Sequence, residues 1–522
     1  MAALNAIGQR LVANLAGATH ADDKLRRELS HAEKINVVGA GGSLTAAYEQ
    51  LRNAAENTEE HLLLQNAIRR FYKQLFITRD EALVQTSGNE LAVELTFAGY
   101  VANDSLAKFQ IESISKLATS HYKLYEKLLK KRSISFETSN NWVLDTLSVE
   151  VEGSINHHFR DRAFTNFSYE YLQTIVPAEV VVAKGDTVDE YGAALLIAVH
   201  KALLKSNTAV IRTALLQRYQ VPLDNVDAYM TFNKRVDFLI GSSMADKLYR
   251  MVDRQGAPLR IMRRMMEDHE EFASWLPRRE VFLEKFEQQV NKEYAQIGRR
   301  INRAIVRSVI FLIITKFIIG IAVEVPYDFW AHGEIIWLPL IVNLIFPPLY
   351  MVALRLTHTL PGFANTTALV DRVDAMLYGE KTTLVKKQLS ARRYGPIFSA
   401  LYVLFSLAVF GGVSWLLLML GFSLVHIAIF FIFISAASFL GFRLSRLIRE
   451  LELVRGSSNG LTFLRDVIYL PFVVVGQWMN EKYSQVNIVA TVLDMVIELP
   501  LKTVLRLVRQ WGAFIDDRKD RI

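Results

Sequence analysis

The sequence predicts an all-α chain: a cytoplasmic helical domain, then a four-helix transmembrane region and C-terminal amphipathic helices. Three observations predict it. Four strongly apolar stretches, at about 305–325, 335–356, 397–420 and 424–442, each approach the ~20 residues a helix needs to cross a bilayer. The formal charge of +7 is unevenly spread: residues 1–298 carry 36 Lys/Arg against 38 Asp/Glu, and residues 299–522 carry 24 against 15. The basicity therefore belongs to the half with the apolar stretches, where cytoplasmic loops gather Lys and Arg. Finally, the region before the stretches holds long runs of helix formers with few breakers, and only Val180-Val181-Val182 suggests a strand.

The first domain is expected over 1–276. Helices are read at 48–75, 89–131, 142–173 and 190–219, with turn chemistry near 39–42, 86–88, 133–141, 177–186 and Pro222. Its near-balanced charge argues against nucleic acid, which needs a basic patch. The chain has no cysteine, which excludes disulfides, thiolate metal sites and cysteine nucleophiles. The first thirty residues lack the apolar core of a secretory signal, so the N-terminal domain is expected to stay in the cytoplasm.

A stalk helix follows over 277–304. Phe282, Phe286, Val290, Tyr294, Ile297 and Ile301 recur every three or four residues and form one apolar stripe. The stripe fits ordinary packing, and it fits mechanical coupling into the first span.

The spans occupy 305–447. Arg299, Arg300, Arg303 and Arg307 precede or open the first, whereas the next turn contains Glu324, Asp328 and Glu334 and no Lys or Arg. The following loop has Arg372, Lys381, Lys386, Lys387, Arg392 and Arg393, and the fourth span exits into Arg443, Arg446 and Arg449. Both termini are thus expected in the cytoplasm, against anionic lipid.

Lys316 lies mid-span, where a lysine costs roughly 2.5–3.5 kcal/mol on insertion scales. It requires a partner, as an interhelical ion pair or on a solute or proton path; snorkelling to a surface is the remaining alternative. Asn343, Pro347 and Pro348 add polarity and a break to the second span, because proline removes an amide and crowds the carbonyl four residues back. Ala408/Gly412 and Ala437/Gly441 read as close-packing pairs between the last two spans. His426 lies near the outer end of these spans and is assigned no chemistry.

Interfacial amphipathic helices are expected over 461–515, one of them bent at Pro471, before a charged tail at 516–522. Asp494 and Glu498 on the second are candidate counter-ions for Lys316.

Other motifs are weaker. Gly39-Ala40-Gly41-Gly42-Ser43 lacks the third glycine of a dinucleotide loop and reads as a hinge. His157 and Asp161 are a weak metal candidate without further ligands. The charged run 267–271 reads as a solvated face, and no familiar hydrolase, kinase or phosphate-loop signature occurs. No cofactor is expected.

The stretches 48–71 (YEQLRNAAENTEEHLLLQNAIRRF), 197–205 (IAVHKALLK), 324–328 (EVPYD) and 342–349 (VNLIFPPL) resemble an uncharacterised family of multi-pass membrane proteins from candidate-phylum, reduced-genome bacteria. The resemblance implies a bacterial cytoplasmic-membrane protein. That family has no assigned activity, so no catalytic residue carries over.

The expected function is a non-enzymatic membrane scaffold or coupling protein whose cytoplasmic domain binds a protein partner. The alternative is a small transporter or channel, a homo-oligomer, using Lys316 with Glu324, Asn343 and the broken second span.

Overall fold

The computed structural model describes residues 3–37, 45–46, 49–50, 52–53, 60–131, 133–178, 188–357, 360–379, 396–454, 460–485 and 511. Helices form throughout, no strand occurs among the described residues, and a single bridge pairs Lys34 with Ala107. Val180-Val181-Val182, the glycine run at 39–43, Asp494 and Glu498 all lie outside the described residues. The described residues divide into two compact units, one within Asn5–Val252 and one within Asp253–Val486. The division falls ahead of the expected boundary at 276, which places the helix 257–268 with the spans.

The N-terminal unit is built from α1 (Ala6–His31), α2 (Leu63–Ile77), α3 (Ser87–Phe97), α4 (Lys108–Leu129), α5 (Phe136–Ile155), α6 (Phe159–Ile175), α7 (Val188–Val199), α8 (Thr208–Arg218) and α9 (Val226–Ile240). Side-chain oxygens of Asn5, Ser135, Asn207 and Asn225 accept amides of the first turns of α1, α5, α8 and α9, satisfying donors that a helix start leaves bare. Helix α5 is central. Its Trp142, Leu144, Leu147 and Val151 join Ile68, Phe76, Tyr122 and Tyr229 in one apolar cluster. Beside that cluster Arg212 donates to Asp145 (3.3 Å), Asn233 (2.9 Å) and Asp237 (2.6 Å), while Arg69 donates to Asp145 (3.2 Å) and Asn141 (2.8 Å). Burial pushes the Asp145 carboxyl up despite both arginines.

The second unit opens with α10 (Ala257–Asp268) and the long α11 (Arg279–Ile319). A π-helical turn, Gly320–Glu324, joins α11 to α12 (Val325–His332) without a break, so one rod spans Arg279–His332. Next come α13 (Trp337–Thr357), α14 (Phe363–Leu377), α15 (Pro396–Met419), α16 (Leu424–Arg449) and α17 (Gly460–Gln485). Among the described residues four helices are long and apolar enough to cross a membrane: the rod, α13, α15 and α16. Of these α16 is the most enclosed and α15 the least.

The apolar stripe of the stalk is buried as its spacing predicts, with Phe282, Phe286, Val290 and Ile301 almost fully covered. Polar side chains fasten the same segment. Arg279 forks onto both oxygens of Asp374 (2.6 and 2.7 Å), Arg264 pairs with Glu293, and Lys292 donates to Asp268 (2.7 Å). Asn365 is the knot: it donates to the Tyr294 hydroxyl and the Leu451 carbonyl (both 2.8 Å) and accepts from the amides of Leu453 (2.7 Å) and Val454 (3.0 Å).

Three expectations need correction. The first span does not end at Glu324-Val325-Pro326, because the rod continues to His332. In α-geometry the Pro326 ring would press on the carbonyl of Ala322; the widened π turn, in which the Val325 amide reaches back to the Gly320 carbonyl, accommodates it. The second span is not broken, since α13 runs through Pro347 and Pro348 as one helix. The small-residue pairs do not lock α15 to α16: a Cβ on Gly412 would meet nothing within 4 Å, and one on Gly441 would meet Leu354 of α13 at 2.8 Å. The closest approach belongs to α17, where a Cβ on Gly476 would lie 2.3 Å from the Ser435 carbonyl of α16. Helix α17 also seats Phe472 against Phe410 and Phe431, the described half of the segment expected to lie in the interface.

Candidate intramembrane charge site

Lys316, Gly320, Glu324 and Asp328 succeed one another at four-residue intervals along the rod. On a regular α-helix, residues eight apart are rotated by about 80°, so Lys316 and Glu324 would diverge. The π turn between them absorbs one residue, and the effective spacing of seven returns them to within about 20° of each other. Gly320 puts no side chain between them. The result is an ion pair within one helix, where an interhelical pair was expected.

The pair is fully enclosed: Lys316 is 2% exposed and Glu324 0%. The ammonium donates to Oε1 of Glu324 and sits 5.1 Å over the Phe433 ring of α16. Asn343 of α13, also buried, donates its amide to the same Oε1 at 3.1 Å and to the His426 carbonyl at 3.2 Å. This one amide therefore ties the rod, α13 and α16 together. Oε2 of Glu324 and Oδ1 of Asn343 are buried without a hydrogen-bond partner.

Nearer the 333–336 turn lies a second polar layer. Asp328, 0% exposed, accepts the Ile336 amide on Oδ2 at 3.1 Å. Its Oδ1 faces Nε2 of His426 at 3.4 Å and Nδ1 of His332 at 3.9 Å. The Ser423 hydroxyl, which caps α16, meets Nδ1 of His426 at 2.9 Å. The Tyr327 ring packs edge-on against both imidazoles.

Of the residues singled out from sequence, Lys316, Glu324 and Asn343 are brought together. Pro347 and Pro348 sit farther along α13 with no polar partner described. In the N-terminal unit it is His158, rather than His157, that faces Asp161, at 3.7 Å, and its Nε2 also meets Glu152 at 2.9 Å. That hydrogen bond holds the His158 imidazole above its usual pKa. Among the described residues no three His, Asp or Glu are placed to hold a metal ion.

Asp328, His426 and Ser423 were not recognised from sequence. Asp328 had been counted only as an acidic loop residue, yet the four-residue interval from Lys316 through Glu324 was the signal that could have found it. Compared with protein families, curated proteins and solved structures, the chain matches none.

Proposed function

We propose that this chain is an integral membrane coupling protein, in which four spans form a charge-compensated anchor and the N-terminal helices bind a protein partner in the cytoplasm. One observation carries the reading: a single rod, Arg279–His332, is gripped at its base by α10 and by α14, whose Asn365 also ties down residues 451–454, and holds the buried ion pair farther along. A helix fixed at both levels transmits a displacement at one to the other. Loop charge supports cytoplasmic termini, with anionic lipid beside the basic loops. The resemblance to candidate-phylum membrane proteins is compatible with this setting.

A second reading, a small oligomeric transporter, is favoured by the two unpartnered buried oxygens on Glu324 and Asn343. Reconstituted flux separates the two. Coupling predicts the same ion and proton flux in liposomes holding wild type or the Lys316→Met/Glu324→Gln double variant, with in-cell crosslinks to the same neighbouring protein. Flux present in wild type and lost in the double variant overturns coupling in favour of transport.

A further inference from the structure

We infer that Asp328 and His426 form a proton-binding site inside the membrane bundle, loaded through His332 from the side of the 333–336 turn. The first argument is charge count. Among the described residues, the fully buried ionisable groups of this bundle are Lys316, Glu324, Asp328 and His426. With a neutral imidazole the set carries one positive and two negative charges. Lys316 is committed to Glu324, which leaves Asp328 as an enclosed carboxylate with one backbone amide for support. An enclosed charge in an apolar medium is compensated or neutralised.

The second argument is geometry. Oδ1 of Asp328 and Nε2 of His426 are both buried, neither has a hydrogen-bond partner, and they face each other at 3.4 Å. A proton between them supplies the missing donor. In the tautomer whose Nδ1–H donates to the Ser423 hydroxyl oxygen, Nε2 of His426 is a bare acceptor facing Oδ1 of Asp328, and the added proton bridges the two. The other groups facing Asp328 are His332 on its own helix and the Ile336 amide, while the Tyr327 ring packs on both imidazoles. One layer inward come Glu324 and Asn343, and the cation there is already paired.

The third argument is access. His332, at the end of the rod, is 38% exposed while Asp328 is fully covered, and the two are 3.9 Å apart. A small ring rotation or one bridging water closes that distance. The proton leaves Nδ1 of protonated His332, forms an O–H bond at Oδ1 of Asp328, and water-borne hydronium then restores the imidazolium. The site holds one proton per chain whether the protein couples or transports.

The test is infrared difference spectroscopy of the full chain in lipid nanodiscs, scanned between about pH 5 and about pH 8. A carboxylic-acid carbonyl band should be present, should shift when aspartate is labelled with carbon-13 at its carboxyl, and should vanish in Asp328→Asn. The isotope shift needs no variant, so a misfolded Asp328→Asn leaves the test intact. His332→Gln should keep the band but slow its exchange with deuterium on the order of tenfold or more. No aspartic-acid band at any pH, or a band that survives Asp328→Asn, overturns the site; unchanged exchange in His332→Gln overturns the entry route.

Discussion

Replacing Lys316 by methionine removes the ammonium while keeping most of the side chain's bulk, and it leaves Glu324 enclosed without its cation. Breaking a buried pair by removing one partner costs roughly 3–5 kcal/mol. The cost can also be worked from the carboxylate, whose escape is to take up a proton. An ordinary glutamate titrates near 4.3, and each pH unit is worth about 1.4 kcal/mol, so protonation at neutral pH costs about 3.7 kcal/mol. The two routes agree. The second adds a signature: at about pH 5 the cost should shrink to roughly 1 kcal/mol. Glu324→Gln should behave in the opposite sense, since the abandoned ammonium must lose a proton, at about 4.6 kcal/mol near neutrality and less in alkali. The double variant, with neither charge, should lie within about 1 kcal/mol of wild type or above it. Steric-trap unfolding in bicelles at several pH values measures all four proteins. A Lys316→Met loss that does not change with pH, or a double variant whose loss equals the sum of the singles, refutes the pairing.

Burial holds the His121 imidazole below its usual pKa although Glu150 stands 3.6 Å away. Below about pH 6.5 the unfolded chain therefore takes up a proton that the folded one refuses, and the protection of α4 amides relative to their intrinsic exchange rates should fall on acidification, less so in His121→Gln. Asn365→Ala removes four hydrogen bonds and strands buried partners, so it should cost about 2–4 kcal/mol and raise exchange at 451–454; unchanged exchange there would deny the knot. Gly476→Leu should drive α17 from α16 and destabilise by at least 1–3 kcal/mol, roughly the range for overpacking, in the same unfolding assay. Trp330 is 85% exposed and Phe363 80%, so single cysteines at both are reachable, and an impermeant thiol reagent outside the cell should label the first and spare the second. Labelling of Phe363→Cys alone would reverse the orientation, and labelling of both would contradict a spanning α13.

The helical class and the four apolar helices were legible because length and hydropathy are local properties, and the stalk stripe was legible because its period is 3.6. Lys316 stood out for the same reason: a cation in an apolar run is visible without neighbours. Which of the three candidate acids, Glu324, Asp494 or Glu498, would pair with it was not. The carboxylate eight residues on looked like a loop acid because Pro326 follows it, and only the π turn, which no residue pattern announces, carries the helix onward and rotates Glu324 back beneath the lysine. The two prolines of α13 misled in the other direction, since the helix continues through both of them. The Asp328–His426 contact joins residues about a hundred positions apart, a distance over which single-sequence periodicity is silent.

The most direct test of the account is a rotational-echo measurement in lipid bilayers on protein carrying nitrogen-15 at lysine Nζ and carbon-13 at glutamate Cδ, taken as the difference between wild type and Lys316→Met. The account predicts dephasing from one Lys–Glu contact that is present in wild type and absent from the variant, and absent also from Glu324→Gln. A wild-type spectrum indistinguishable from that of Lys316→Met would contradict it.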